Sequence, residues 1–92
     1  MTITDDMMIS QTGNALSTEI DGEAVLIGLE TGRYFGLDSI GTEIWRRIEQ
    51  PCRLDRLCTD LAEAFEGDPA MITAETRAFL ALLVERDLAR AA

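Results

Sequence analysis

The sequence predicts an α+β fold in which a three-stranded antiparallel sheet is followed by three helices. The length of 92 residues allows one modest hydrophobic core. Residues 14–37 have the pattern of short strands separated by turns, and beyond residue 37 apolar residues recur with helical spacing. We therefore expect a single domain over residues 1–92, with its core in 14–88 and an N-terminal segment, 1–13, that can add a short strand near Met7–Ser10.

The first half of the chain has the pattern of strands separated by tight turns. Leu16, Thr18 and Ile20 alternate with small or polar neighbours, as in a half-buried strand. Asp21 and Gly22 follow as a two-residue hairpin signal, because both tolerate a positive φ. Two further strands are predicted, a middle one over Ala24–Leu29 and a third over Arg33–Leu37, with a turn at Thr31-Gly32 between them.

Three amphipathic segments follow. The first helix begins at Asp38 or Ser39, either of which can cap it, and ends before Pro51. The second is predicted over Leu54–Phe65, and the third over Pro69–Leu88, where the proline suits a first turn. Residues 89–92 are expected to fray.

Composition narrows the chemistry that the chain can perform. It carries a net charge of −9 and has neither histidine nor lysine, so it lacks the usual proton shuttle, the commonest metal ligand and an amine for Schiff bases. The acidic balance disfavours nucleic acid, and no apolar run is long enough for a membrane span. Cys52 is predicted to begin a helix and Cys58 to lie in the core, and their spacing disfavours a disulfide or a redox pair. We predict no enzyme, no cofactor and a cytoplasmic location.

Four stretches, in this order and spacing, resemble the PqqD-like family, the RiPP recognition elements. They are Asp21–Leu26, Glu30–Leu37, Gly41–Trp45 and Phe79–Leu88. The resemblance covers roughly residues 14–88 and is closest to the stand-alone members from lasso-peptide clusters. It implies a winged-helix-like domain that binds the leader segment of a ribosomally made precursor peptide.

In that family the leader adds as a strand beside the third strand and lies in a groove against the third helix. The resemblance therefore implies peptide-binding residues on both elements of this chain. They are Arg33, Tyr34, Phe35, Gly36 and Leu37 on the strand, and Glu75, Ala78, Phe79, Leu82 and Arg86 on the helix.

Several of these residues also have a purely structural interpretation. Phe35 and Leu37 can pack in the core while Tyr34 only shields the edge, and Gly36 can mark either a close backbone approach or a bulge. Leu82 is either an ordinary exposed leucine or the floor of an apolar pocket. Glu75 and Arg86 can bracket that pocket with opposite charges or simply be solvated. Trp45 lies on the inner stripe of the first helix and is expected in the core.

Two positions depart from the family pattern. Asp87 replaces the usual glycine before the closing leucine, so we expect a less sharply ended third helix. Thr76 stands where valine or isoleucine is common.

The resemblance implies an adaptor that presents its leader to a separate leader peptidase and cyclase. One alternative is a PqqD-type peptide chaperone for a radical SAM enzyme. Another is a winged-helix DNA-binding regulator, which the acidic residues of the third helix disfavour.

Overall fold

The computed structural model describes residues 3–92. In chain order the elements are β1 (Met8–Gln11), β2 (Ala15–Ile20), β3 (Glu23–Gly28), β4 (Tyr34–Gly36), α1 (Ser39–Arg47), β5 (Cys52–Arg53), α2 (Leu54–Ala64), α3 (Pro69–Glu85) and β6 (Ala89–Ala91). The predicted fold class is confirmed, because the β2-β3-β4 sheet is antiparallel and accompanies three helices. A second small sheet, ordered β5-β1-β6, joins distant parts of the chain.

The β2–β3 hairpin forms as its turn predicts. Asp21 and Gly22 have φ values of 54° and 84°, and the ladder runs without interruption from Ile20↔Glu23 to Ala15↔Gly28.

β4 is shorter than the predicted strand, but the residues on either side of it, Arg33 and Leu37, still bond to β3. The Arg33 carbonyl accepts from the Gly28 N–H at 2.9 Å, and the Leu37 N–H donates to the Ala24 carbonyl at 2.8 Å.

The prediction that β2 is half-buried is wrong. Leu16 and Ile20 are 59% and 62% exposed, and the polar residues between them are exposed as well. The reason is that β2 packs mainly against β3. The buried side chains of the hairpin, Ala24 and Leu26, both belong to β3, and β2 reaches the core only through the partly buried Ala15.

The first helix begins at a predicted cap, and the third has a side-chain cap of its own. Asp38 caps α1 by accepting from the Gly41 N–H at 2.7 Å, and Asp68 caps α3 ahead of Pro69. Cys52, predicted to begin a helix, instead lies in β5 opposite Ile9, while Cys58 is buried as expected.

The third helix ends sharply at Glu85, contrary to the expectation drawn from Asp87. Asp87 adopts φ 59°, its N–H donates to the Val84 carbonyl at 3.0 Å, and the Leu88 N–H donates to the Leu83 carbonyl at 2.8 Å. These two bonds form a Schellman motif, which normally uses glycine. Asn14 compensates by donating from Nδ2 to the Asp87 carboxylate at 2.9 Å.

The expectation that residues 89–92 fray is also wrong. β6 pairs with β1 from Gln11↔Ala89 to Ile9↔Ala91, and Ala89 is only 2% exposed. The short strand predicted near Met7–Ser10 does form, as β1, and its two edges hold β5 and β6. The N-terminal segment thus contributes to the core through Ile3 and Ile9.

Buried contacts fix the β2-β3-β4 sheet to the helices. Trp45 is 5% exposed and belongs to the core, as predicted. The buried Thr42 hydroxyl on α1 accepts from the Ala24 N–H at 2.8 Å, so α1 holds the middle strand directly. Thr76, also fully buried, donates to the Ile72 carbonyl at 2.7 Å, which satisfies its hydroxyl within its own helix.

Candidate functional site

The outer edge of β4 carries unpaired main-chain groups. In an antiparallel ladder alternate residues direct their N–H and C=O toward the same neighbour. The bonds at Arg33 and Leu37 show that odd-numbered residues face β3, so Tyr34 and Gly36 direct theirs away from the sheet. These groups are what an added strand would pair with.

The side chains of β4 divide between the two faces of the sheet. Tyr34 lies on the outer face and is 72% exposed. Phe35 points inward and is half-buried against the core, and Leu37 is buried. Gly36 pairs regularly with Val25, so it marks no bulge. A Cβ placed on Gly36 would meet nothing within 4 Å.

A groove of about 450 Å³ separates β4 from α3. On the helix side the groove is lined by Phe79, Leu82, Leu83 and Arg86, which share one helix face by their spacing of three and four residues. The remaining lining residues are Tyr34, Phe35, Gly36, Leu37, Asp38, Gly41 and Leu88. Leu82 is 42% exposed and borders the groove, as the pocket interpretation requires.

The start of α1 closes one end of the groove. A Cβ on Gly41 would lie 3.6 Å from Cζ of Phe79 and 3.2 Å from the capping carboxylate of Asp38. The glycine therefore lets the first turn of α1 approach the Phe79 ring closely. Sequence reasoning missed Asp38, Gly41, Leu83 and Leu88 as groove residues, because capping and inner-stripe patterns already accounted for them.

Arg86 lies at the other end, between the groove and a second recess of about 510 Å³. Its guanidinium carbon is 5.7 Å from the centroid of the Phe35 ring, a cation–π distance. Arg33 lines the second recess together with Glu30 and Glu85. Within residues 3–92, neither Arg33 nor Arg86 is among the arginines that form ion pairs.

The structure does not bring all the predicted site residues together. Glu75 and Ala78 are exposed near the middle of α3 and line neither the groove nor the second recess. Glu75 therefore does not bracket the groove opposite Arg86. Contact of either residue with a peptide stays a prediction that would need a longer ligand along α3.

Other chemistry finds little support in the part of the chain that the structure describes. Among residues 3–92 no cluster of three or more metal-ligating side chains occurs, and no helix there has the length and apolar character for a membrane crossing. Cys52 and Cys58 are free thiols, and burial raises the pKa of both. Thiols with a raised pKa are poor nucleophiles at neutral pH.

Comparisons with known proteins agree with this arrangement. Residues 23–89 match the family model "Coenzyme PQQ synthesis protein D (PqqD)". A solved structure, "TbiB1 in Complex with the TbiA(beta) Leader Peptide", superposes with a TM-score of 0.77 at 31% identity, over 88% of this chain and 94% of that chain. No sequence among the curated proteins matches. The chain therefore belongs to the PqqD-like family, the RiPP recognition elements that its sequence resembles.

Proposed function

We propose that this protein binds the leader segment of a ribosomally synthesised precursor peptide by adding it as a strand to β4. The observation that carries the proposal is the free main-chain edge of Tyr34 and Gly36 directly beside an apolar groove. The similar TbiB1 structure, which was solved with a leader peptide, supports the same kind of ligand here.

In this geometry the leader backbone and the leader side chains have different roles in binding. Main-chain bonds to Tyr34 and Gly36 would fix the register, whatever the leader sequence. Alternate side chains of the added strand would point inward, toward Phe79 and Leu82, and select apolar residues. The others would lie on the outer face beside Tyr34.

Binding of this kind supports an adaptor rather than a catalyst. Holding the leader keeps the attached core peptide near a processing enzyme and raises its effective concentration there. In this proposal the partner is a leader peptidase, with a cyclase acting next, in cytoplasmic lasso-peptide biosynthesis. The alternative partner, a radical SAM enzyme, would use the same leader site, so the β4 geometry does not distinguish the two.

Fluorescence anisotropy tests the proposal, with labelled synthetic leaders from short precursor-like open reading frames in the same genomic neighbourhood. We expect a Kd between about 1 nM and 1 μM, or about −12 to −8 kcal/mol. Gly36→Pro removes the N–H that faces the free edge while leaving the bonds of Phe35 to β3, and we expect at least about a tenfold loss of affinity. Gly36→Ala is the control, because its Cβ meets open space and its N–H remains.

A scan of backbone N-methylation along the leader checks strand addition with the wild-type protein, without any protein variant. Methyl groups on alternate residues should abolish binding where the N–H faces β4 and be tolerated where it faces away. Leader binding with no alternation, or no binding at about 100 μM, which corresponds to only about −5.5 kcal/mol, would refute the proposal.

A further inference from the structure

The sheet has a second free edge, on β2, that leader binding does not use. β2 is an outer strand in the order β2-β3-β4 and contributes six paired residues to the ladder, compared with three in β4. A long, exposed edge strand with apolar side chains is a template for pairing unless something covers it. Natural edges are commonly protected by charge, by proline or by a bulge, and β2 has neither proline nor bulge.

The hydrogen-bonding groups on this edge can be assigned from the hairpin. Ile20 and Glu23 flank a two-residue turn with both φ values positive, a geometry in which the flanking pair is hydrogen-bonded. The bond from the Leu29 N–H to the Asn14 carbonyl, 2.8 Å, has the same parity. Even-numbered residues of β2 therefore bond to β3, and Ser17 and Glu19 direct their N–H and C=O outward.

Glu19 is the only charged side chain in β2, and it is neutralised within the same chain by an ion pair with Arg46. A second copy approaching this edge therefore does not meet an unpaired like charge on the strand itself. The outer face of β2 carries Leu16, Thr18 and Ile20, all exposed, so its apolar groups have no cover from the described residues.

We propose that β2 pairs with β2 of a second copy of this protein, antiparallel and centred on Thr18. In that register Ser17 and Glu19 of one copy bond to Glu19 and Ser17 of the other. On the outer face Leu16 lies opposite Ile20 of the second copy and Thr18 lies opposite itself, as non-hydrogen-bonded pairs, in which side chains approach most closely. Centring on Ser17 would instead oppose Leu16 to Thr18 and Ile20 to Asn14, with no apolar pair.

The pairing joins two sheets into one of six strands and leaves β4 free at each end. A single strand-to-strand contact is small compared with stable dimer interfaces, so the association is weak and depends on concentration. The second copy, rather than a strand of an enzyme, is favoured because this register gives both Leu16 and Ile20 an apolar partner. Centring on Leu16, Ser17, Glu19 or Ile20 does not do this for both side chains.

Introducing a positive or a negative charge at Thr18 tests the register directly. Thr18→Lys and Thr18→Glu each place like charges opposite themselves at the two-fold axis. Wild type should self-associate in sedimentation velocity between about 5 and 500 μM, and each variant at least about tenfold more weakly. Mixing the two variants should restore association as a heterodimer, because residue 18 then faces an opposite charge.

Circular dichroism and urea midpoints show that the variants fold, which is expected because Thr18 is exposed. Dimers that persist in Thr18→Lys, a mixture that stays monomeric, or wild type that is monomeric at every concentration would each overturn the proposal. Leader affinity should be the same for Thr18→Lys and wild type, so this test can fail or succeed independently of the function proposed for β4.

Discussion

Replacing Leu82 by aspartate tests whether the groove beside β4 is the part of the site that selects leader side chains. Leu82 borders the groove from α3, and its side chain is 42% exposed in the free protein. A leader lying in the groove would cover much of that remaining surface. The substitution then places a carboxylate where the bound state excludes water.

The expected loss of affinity has two parts. Full burial of a leucine is worth about 1.5 to 3 kcal/mol, and the fraction still exposed, 42%, makes the share gained on binding about 1 kcal/mol. Desolvating an unpaired carboxylate adds about 2 kcal/mol or more. Leu82→Ala should therefore weaken binding about fivefold and Leu82→Asp about a hundredfold or more. Because the rest of Leu82 is already covered, Leu82→Asp should also cost about 1 to 2 kcal/mol of folding stability.

Anisotropy titrations with the labelled leader, alongside urea denaturation, measure both effects. Ala81→Asp is the matched control, since it adds the same charge one residue away at an exposed position that does not line the groove. Equal leader affinities for Leu82→Asp, Ala81→Asp and wild type, in protein shown to be folded, would refute the placement of the groove.

Four further predictions follow from the fold and from the charges. Trp45→Ala should lower the free energy of unfolding by about 3 to 5 kcal/mol through a core cavity, read from urea midpoints. Asp87→Ala should be less stable than Asp87→Gly by about 1 kcal/mol, because glycine tolerates φ 59° and both variants lose the bond from Asn14. Since burial raises the pKa of Cys58 above its value in the unfolded chain, the stability it contributes should be present at neutral pH and decline above about pH 8.5, as followed by denaturation against pH. Gel shifts at low salt should show no sequence-dependent DNA binding, because the chain carries a charge of −9.

Much of the fold could be predicted because turns and helix starts are determined by residues that are close together in the sequence. The turn at Asp21 and Gly22, the cap at Asp38 and the start of α3 at Pro69 all form where the sequence indicates. The groove, by contrast, is expected from the family resemblance rather than from a local pattern. Helical spacing then explains why Phe79, Leu82 and Arg86 share the face that lines it.

Features that depend on distant contacts could not be predicted in this way. β5 and β6 have two and three residues, too few to show any periodicity, and they exist because both find an edge of β1. The sharp end of α3 depends on Asn14, which lies 73 residues before Asp87. Propensity alone disfavours an aspartate there, and the long-range hydrogen bond overcomes that preference.

β2 shows a different limit of prediction from sequence. Its alternating pattern identifies an apolar face but does not show what packs against that face. Alternation of Leu16, Thr18 and Ile20 indicates one apolar face, yet in the free protein that face is exposed. The core is supplied by β3 on the opposite face of the sheet, through Ala24 and Leu26. An apolar pattern without a buried partner inside the chain is what a contact between copies would require.

The two edges of the sheet are independent of each other. β2 and β4 flank one middle strand, β3, whose odd-numbered residues bond to β2 and whose even-numbered residues bond to β4. A strand added to one edge therefore leaves the hydrogen-bonding groups of the other edge free. Leader binding and self-association therefore draw on separate main-chain groups of the same sheet.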